Sequence, residues 1–460
     1  MNPLNSPIFE QLEHIFRTGL KRADPYAMIA DHVHLDGDTL TVQFENELQR
    51  FDLAQYQRIY VFGAGKASAR MAQAVEAILG ERITQGVISV KYQHTAPLNR
   101  IRLIEAAHPV PDEASLRGAR EVASLARTFD EHTLVINLIS GGGSALFDGL
   151  LEYEDAGRPV ELTLDDLRRT TQTLLACGAD ITEINCIRKH ISTVKGGRFV
   201  RLLYPATSLN LILSDVIGDR LDAIASGLTV PDASTFAEAL AILEKYTIAS
   251  AMPPAVRRAI ELGAAGAIPE TPKPGDPSFS RTHNLLIGTL VHSLLAAAEE
   301  ARRLGYTPVI LSSQLVGEAR EVAKVLLGIA RDVKKRDLLV HKPACLIGGG
   351  ETTVTLRGTG KGGRNQEMAL AFLCEMKHDP ASSSDVYFLS ASTDGSDGPT
   401  DAAGAFAGWE LVHAAQAGGL QPEEYLKNND SYHFYESLGG LLKTGPTGTN
   451  VCDLQIAIIV

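Results

Sequence analysis

Gly348-Gly349-Gly350-Glu351 and Gly358-Thr359-Gly360-Lys361-Gly362-Gly363-Arg364 bracket a short strand-like piece, and Arg364 leads into a helical pattern. Glycine lets backbone N–H groups approach an anion closely, a following helix start adds partial positive charge, and a cation completes the site. The stretch therefore reads as an anion site made of two glycine turns. Comparable loops occur far upstream, at Gly63-Ala64-Gly65-Lys66 and at Ser140-Gly141-Gly142-Gly143-Ser144. Three such loops in one chain point to a polyphosphate or another multiply charged small ligand.

The upstream loops differ in kind. Gly63-Ala64-Gly65-Lys66-Ala67-Ser68 follows an apolar run and is similar to the dinucleotide fingerprint, with Ser68 at the third glycine. The acidic residue expected about twenty positions later is missing, and Lys91 occupies that neighbourhood. Lys66 is placed to project toward an anion; the plain alternative is a tight turn with a surface lysine. Neither lysine loop is a P-loop, because Thr355 and Tyr60 stand where the first glycine is needed. In the second loop, successive N–H groups of Gly141, Gly142 and Gly143 can form an anion nest, with Ser140 and Ser144 as neutral donors.

Arg188-Lys189-His190 and Lys195-Gly196-Gly197-Arg198 place five basic groups in eleven residues of an acidic chain. On a helix, Arg188, Ser192 and Lys195 would share a face. A solvated basic face is the ordinary explanation, and the missing interleaved acids favour anion contact. Carboxylates at apparent strand ends are candidates for Mg²⁺: Asp215, with Asp219 and Asp222 nearby, then Glu351, and Asp394 and Asp397 in a Thr-Asp-Gly-Ser-Asp-Gly turn. Asp394 could equally close an Asx turn. His94, His108 and His190 show no metal spacing and read as structural histidines.

The elements that must carry these residues alternate. Apolar strand-like runs at 58–62, 86–90, 101–105, 133–139 and 209–213 are separated by helical patterns, which indicates a parallel sheet covered on both faces. A first helix is expected from Pro7, with Ser6 as N-cap and Ile8, Leu12, Ile15, Phe16 and Leu20 on one face. The proline-rich stretch 253–280 reads as a linker, after which strands at 284–287, 308–311, 344–347, 386–390 and 453–460 alternate with helices. The 460 residues suit two domains, expected at 1–250 and 283–460 around a linker at 251–282. A net charge of −12 argues against a nucleic-acid or anionic-membrane surface. Five scattered cysteines without Cys-x-x-Cys suggest reduced thiols, and no signal-peptide pattern or membrane-length apolar run is present. A cytoplasmic location is the expectation.

The motifs as a series resemble one family. Segments 61–68, 138–145, 185–198, 213–232, 348–367 and 393–404 are similar, in order, to those of bacterial glycerate 2-kinases, once widely labelled hydroxypyruvate reductases, whose C-terminal part is called the MOFRL domain. The family pattern has Pro where this chain has Leu228, and often where it has Ile217. The resemblance implies ATP-dependent, Mg²⁺-assisted phosphorylation of D-glycerate at its 2-hydroxyl. It implies a Rossmann-like N-terminal α/β domain with a parallel sheet, a smaller C-terminal α/β domain, here expected with a mixed sheet, and an active site in the cleft between them. The family's basic pair falls on Lys66 and Arg364.

The expected nucleotide contacts are Gly63, Gly65, Ser140, Gly141, Gly142, Gly143, Ser144, Arg188, Lys195, Gly349, Gly350 and Asp394, with Asp215 and Glu351 as Mg²⁺ ligands. The expected partners are D-glycerate and ATP, with neither nucleic acid nor membrane, and a homodimer is admitted. The competing reading is an NAD(P)H-dependent hydroxypyruvate reductase that uses the Gly63-x-Gly65 turn.

Overall fold

The computed structural model describes residues 4–460. They form two compact units, Pro25–Ile287 and residues 4–24 joined with Gly288–Val460. This partition differs from the expected one at both ends of the N-terminal part. The helix Pro7–Arg22 is capped by Ser6 and buries Phe9, Leu12, Ile15 and Phe16. Its Gly19 lies so close to the helix Leu290–Arg303 that a Cβ there would stand 2.9 Å from the carbonyl oxygen of Ser293. Phe9 packs edge-on against Tyr387 and Phe406, at 5.4 and 5.7 Å. The first helix therefore completes the C-terminal core. The proline-rich stretch is likewise not a spacer. Pro254 starts the helix Pro254–Ala264, which buries Val256, Ala259 and Ile260 in the N-terminal unit, where Phe236 also packs.

In the Pro25–Ile287 unit, β1 (Val33–Asp36), β2 (Thr39–Phe44) and β3 (Glu47–Asp52) form an antiparallel sheet that the apolar patterning did not announce. The main sheet contains β4 (Arg58–Ala64), β5 (Gln85–Lys91), β6 (Ile101–Ala106) and β7 (Thr133–Ile139). A hairpin of β8 (Glu152–Asp155) and β9 (Arg158–Glu161) precedes its last members, β10 (Thr207–Leu213) and β11 (Thr282–Gly288). The order is β11-β10-β7-β4-β5-β6, and β10, β7, β4, β5 and β6 pair in parallel. Every residue of β7 and β10 is buried, which is why both read as unbroken apolar runs. The run at 284–287, expected to open the second domain, is instead the edge strand β11. Connections from β4 proceed outward to β5 and β6, while β7 and β10 lie on its other side. The carboxyl ends of β4 and β7 thus flank a topological switch point, where open α/β sheets take their ligands.

The second unit has a mixed sheet of β12 (Thr307–Leu315), β13 (Ala344–Gly350), β14 (Val386–Ser392), β15 (Gly404–Ala407), β16 (Leu441–Leu442) and β17 (Asp453–Ile459), ordered β12-β13-β17-β14-β15-β16. The C-terminal strand β17 is central and antiparallel to both neighbours, β13 and β14. Gly348, Gly349 and Gly350, expected in a turn, are the end of β13, paired with Gln455, Leu454 and Asp453. Among the described residues, no helix is long and apolar enough to cross a membrane.

Candidate active site

Three strand ends meet in the Pro25–Ile287 unit. After β4, the N–H groups of Gly65, Lys66, Ala67 and Ser68 all have protein acceptors: Ser89 O, Gly141 O, Ser140 Oγ and Gly65 O. Gly65 sits at φ 146°, where a Cβ would collide with Ser140. Gly63 and Gly65 therefore let the ends of β4 and β7 touch; they do not offer amides to a pyrophosphate. What leaves this turn toward solvent is the partly exposed Lys66 side chain.

The loop after β7 behaves differently. Among the described residues, the N–H groups of Gly141 and Gly142 donate to no protein acceptor. The Asp215 carboxylate, just beyond β10, lies against Gly141, where any Cβ would strike it. A Cβ on Gly142 would stand 3.0 Å from His108 Cδ2 and 3.5 Å from Lys66 Cγ. Two open amides are thus rimmed by a lysine, a carboxylate and an imidazole. His108, read from sequence as structural, belongs to this rim.

The two serines of the loop are not the donors expected of them. Ser68 Oγ donates to Leu138 O at 2.9 Å, so in its 3.1 Å contact with Ser140 Oγ the proton comes from Ser140. Ser140 also accepts from Ala67 N, and it is wholly buried. Ser226 Oγ donates to Asn185 Oδ1 at 3.0 Å, so the 2.6 Å Ser144–Ser226 contact uses the proton of Ser144. Neither hydroxyl keeps a proton for a phosphate.

The basic run is divided by burial. Its helix is Ile181–His190, and Gly196 and Gly197 follow at φ 58° and 80°, so Lys195 does not continue the face of Arg188. Lys195 is fully buried in an ion pair with Asp148, whose other oxygen accepts from Ser192 at 2.7 Å. Burial pulls the Lys195 pKa down to about 8, against the pull of Asp148. Lys189 pairs with Asp232 at 3.2 Å, Arg198 donates to Lys189 O, and His190 lies between Cys186 O and Glu270. Lys195, expected at the nucleotide, is therefore interior. Arg188, half-buried like Arg198, lies beside the glycine loop and donates to Ser144 O at 3.1 Å.

In the second unit Arg364 opens the helix Arg364–His378. Its Nε and Nη2 bind both oxygens of the fully buried Asp453, at 2.5 and 2.9 Å, and Nη1 lies 2.9 Å from Glu351. Burial works against this charge, but the bonds and charge of Asp453, with Glu351 and Asp397, outweigh it and raise the pKa of Arg364. Glu351, expected at a metal, is instead committed to an ion pair.

The helix start, expected to face a ligand anion, is filled by Asp397. Its carboxylate accepts from the N–H groups of Asn365 (3.1 Å) and Gln366 (2.9 Å). Burial, with some help from Asp453, pushes the Asp397 carboxyl up to about 6 against these bonds. In the glycine loop before it the N–H groups of residues 357–361 are engaged too, while those of Gly362 and Gly363 donate to no protein acceptor among the described residues. Asn429 accepts from Arg357 and Gly358, Asn428 from Thr359 and Gly360, and Asp430 from Lys361. Lys361 Nζ rests 4.2 Å above the Tyr432 ring. Gly349 and Gly350 are engaged in the sheet, and Asp394 accepts from Ser392 Oγ and from the N–H and Oγ of Ser396, closing its own turn.

Residues 11–261 match the DUF4147 family, a domain of unknown function, and residues 344–453 match the MOFRL family. The glycerate 2-kinase of Pyrococcus horikoshii is 42% identical over 96% of this chain and 94% of its own length. This chain belongs to the glycerate 2-kinase family. The D-glycerate 2-kinase of Thermotoga maritima is 43% identical over 88% of this chain and 91% of its own. The crystal structure of a glycerate kinase from the same organism superposes with a TM-score of 0.83 at 39% identity, covering 98% and 99% of the two chains.

Within this glycerate 2-kinase framework, the residues that sequence reasoning passed over are mainly partners of those it named. Asp453 carries a signal in retrospect, as the lone charge in the apolar terminal run Asp453–Ile459. Asp397, a strand-end carboxylate by sequence, lies in the Thr-Asp-Gly-Ser-Asp-Gly turn. Asn185 and Ser226 lie in segments 185–198 and 213–232, and only the fold brings them to Ser144.

Proposed function

We propose that this protein transfers the terminal phosphoryl group of ATP to the 2-hydroxyl of D-glycerate, giving 2-phosphoglycerate and ADP. The observation that carries the reading is the open Gly141–Gly142 amide pair, rimmed by Lys66 and Asp215 at the carboxyl ends of parallel strands. Two successive open N–H groups and an ammonium suit a phosphate, and phosphoryl transfer asks for alignment and charge neutralisation more than for a covalent nucleophile.

In this reading the amides of Gly141 and Gly142 hold phosphate oxygens, and Lys66 stabilises the transferred group. Arg364, held by Asp453 and Glu351, keeps two N–H bonds beyond the three already engaged, which suit an anion. The described residues hold no cluster of three or more metal-ligating side chains. That fits Mg²⁺, which commonly takes one or two carboxylates together with phosphate oxygens and water. Asp215 would hold it, and when bound it supplies neutralising charge on the phosphates. The protein acts on small molecules, and its five free cysteines suit a reducing cytoplasm.

The reductase reading is weakened by the Gly63-x-Gly65 turn, whose amides are consumed internally. Purified protein with D-glycerate, ATP and Mg²⁺ is expected to release ADP, and with hydroxypyruvate it is expected to leave NADH and NADPH unoxidised. Nicotinamide oxidation without ATP turnover would overturn the proposal.

A further inference from the structure

Two groups beside the glycine loop are left with unsatisfied capacity of opposite kinds. Among the described residues, the Arg188 guanidinium makes one hydrogen bond within the protein, to Ser144 O, and its buried Nε has no partner. Among the described residues it forms no ion pair, and the nearby Asp148 is engaged by Lys195 and Ser192. Burial holds the pKa of Arg188 below its usual value, with Asp148 only partly compensating. A half-buried guanidinium with most of its donors idle is suited to a carboxylate, which its planar fork can grip with two bonds.

Ser144 is the complementary case. The chain Ser144 → Ser226 → Asn185 spends the Ser144 proton inward, so toward a ligand its oxygen can only accept. The chain is fixed by its surroundings: Ser226 and Asn185 are buried, and Ala225 and Ser226 both hold positive φ, 48° and 59°, uncommon for residues other than glycine. An acceptor-only oxygen does not suit a phosphate, which lacks protons to give. It suits a hydroxyl. A carboxylate for Arg188 and a hydroxyl for Ser144, two residues beyond the phosphate-holding amides, describe a short hydroxy acid rather than a nucleotide.

We infer that Arg188 and Ser144 form the acceptor-substrate subsite, Arg188 gripping the carboxylate of D-glycerate and Ser144 accepting a hydrogen bond from its 3-hydroxyl. The inference rests on the kinase reading and moves both residues from the nucleotide, where the sequence placed them, to the second substrate. The 2-hydroxyl is then left to face the phosphoryl group.

The test uses the full chain in three forms: unaltered, Arg188→Lys and Ser144→Ala, with thermal midpoints measured to establish that all are folded. ATP-dependent turnover of the unaltered protein on D-glycerate is checked first, and its absence would refute the kinase reading itself. Given that activity, Arg188→Lys is expected to raise KM for D-glycerate about ten-fold or more while KM for ATP moves less than about two-fold. The preference of the unaltered protein for D-glycerate over D-lactate, which lacks the 3-hydroxyl, is expected to shrink at least about ten-fold in Ser144→Ala. Equilibrium binding of D-glycerate without nucleotide should weaken in both variants. A rise confined to KM for ATP, or a glycerate preference unchanged in Ser144→Ala, would overturn the subsite while leaving the kinase standing.

Discussion

At Arg364 a proposed catalytic role and a structural role meet in one side chain. Its fork neutralises Asp453, a carboxylate with no exposed surface. Removing one partner of a buried pair leaves an uncompensated charge and typically costs about 3–5 kcal/mol. Arg364→Ala is therefore expected to lose stability as well as turnover. Denaturant unfolding beside the kinetics separates the two effects. Lys66 is partly exposed, and its loop is held by backbone bonds and by Ser140. Lys66→Ala should keep its unfolding midpoint and lower kcat about 10²–10³-fold, the usual loss for one electrostatic contact in the transition state. Near-normal turnover would remove Lys66 from the mechanism.

Among the elements, the parallel strands were the most legible part of the chain. Buried parallel strands have apolar residues on both faces, and the runs at 133–139 and 209–213 are β7 and β10 in full or nearly so. The glycine loops were legible as close approaches, but not for what approaches them. Backbone amides are equally satisfied by a ligand or by the chain, and sequence does not show that Asn428, Asn429 and Asp430 return to residues 357–361. The basic run was misread for a related reason, because buried pairing partners such as Asp148 and Asp232 are distant in sequence.

Both networks can be probed directly. Lys195→Met should destabilise by about 3–5 kcal/mol through the stranded Asp148, and Lys195→Met with Asp148→Leu should recover much of it in denaturant titration. Asp397 gives a pH signature. Its folded pKa of about 6 lies above the unfolded value, so the folded state binds more protons between the two. Its contribution to stability should fall as pH rises from about 4 to about 6, by about 3 kcal/mol in all. Asp397→Asn cannot titrate, so the difference between its unfolding profile and that of the unaltered protein isolates the slope; parallel profiles would contradict the assignment.

At the scale of the whole molecule, two α/β units share one chain whose first helix belongs to the later unit. The sequence could not disclose that helix's partner, because an amphipathic face says that something covers it and not what. The open amides of Gly141 and Gly142, Asp215 and Lys66 lie in the Pro25–Ile287 unit, and the proposed reaction is phosphoryl transfer to the 2-hydroxyl of D-glycerate. Phosphorus NMR of the product formed from ATP, Mg²⁺ and D-glycerate tests this most directly. A phosphate on the 2-oxygen is coupled to one carbon-bound proton and gives a doublet, whereas one on the 3-oxygen is coupled to two and gives a triplet. The doublet is expected, and a triplet or no new phosphorus signal would contradict phosphorylation at the 2-hydroxyl.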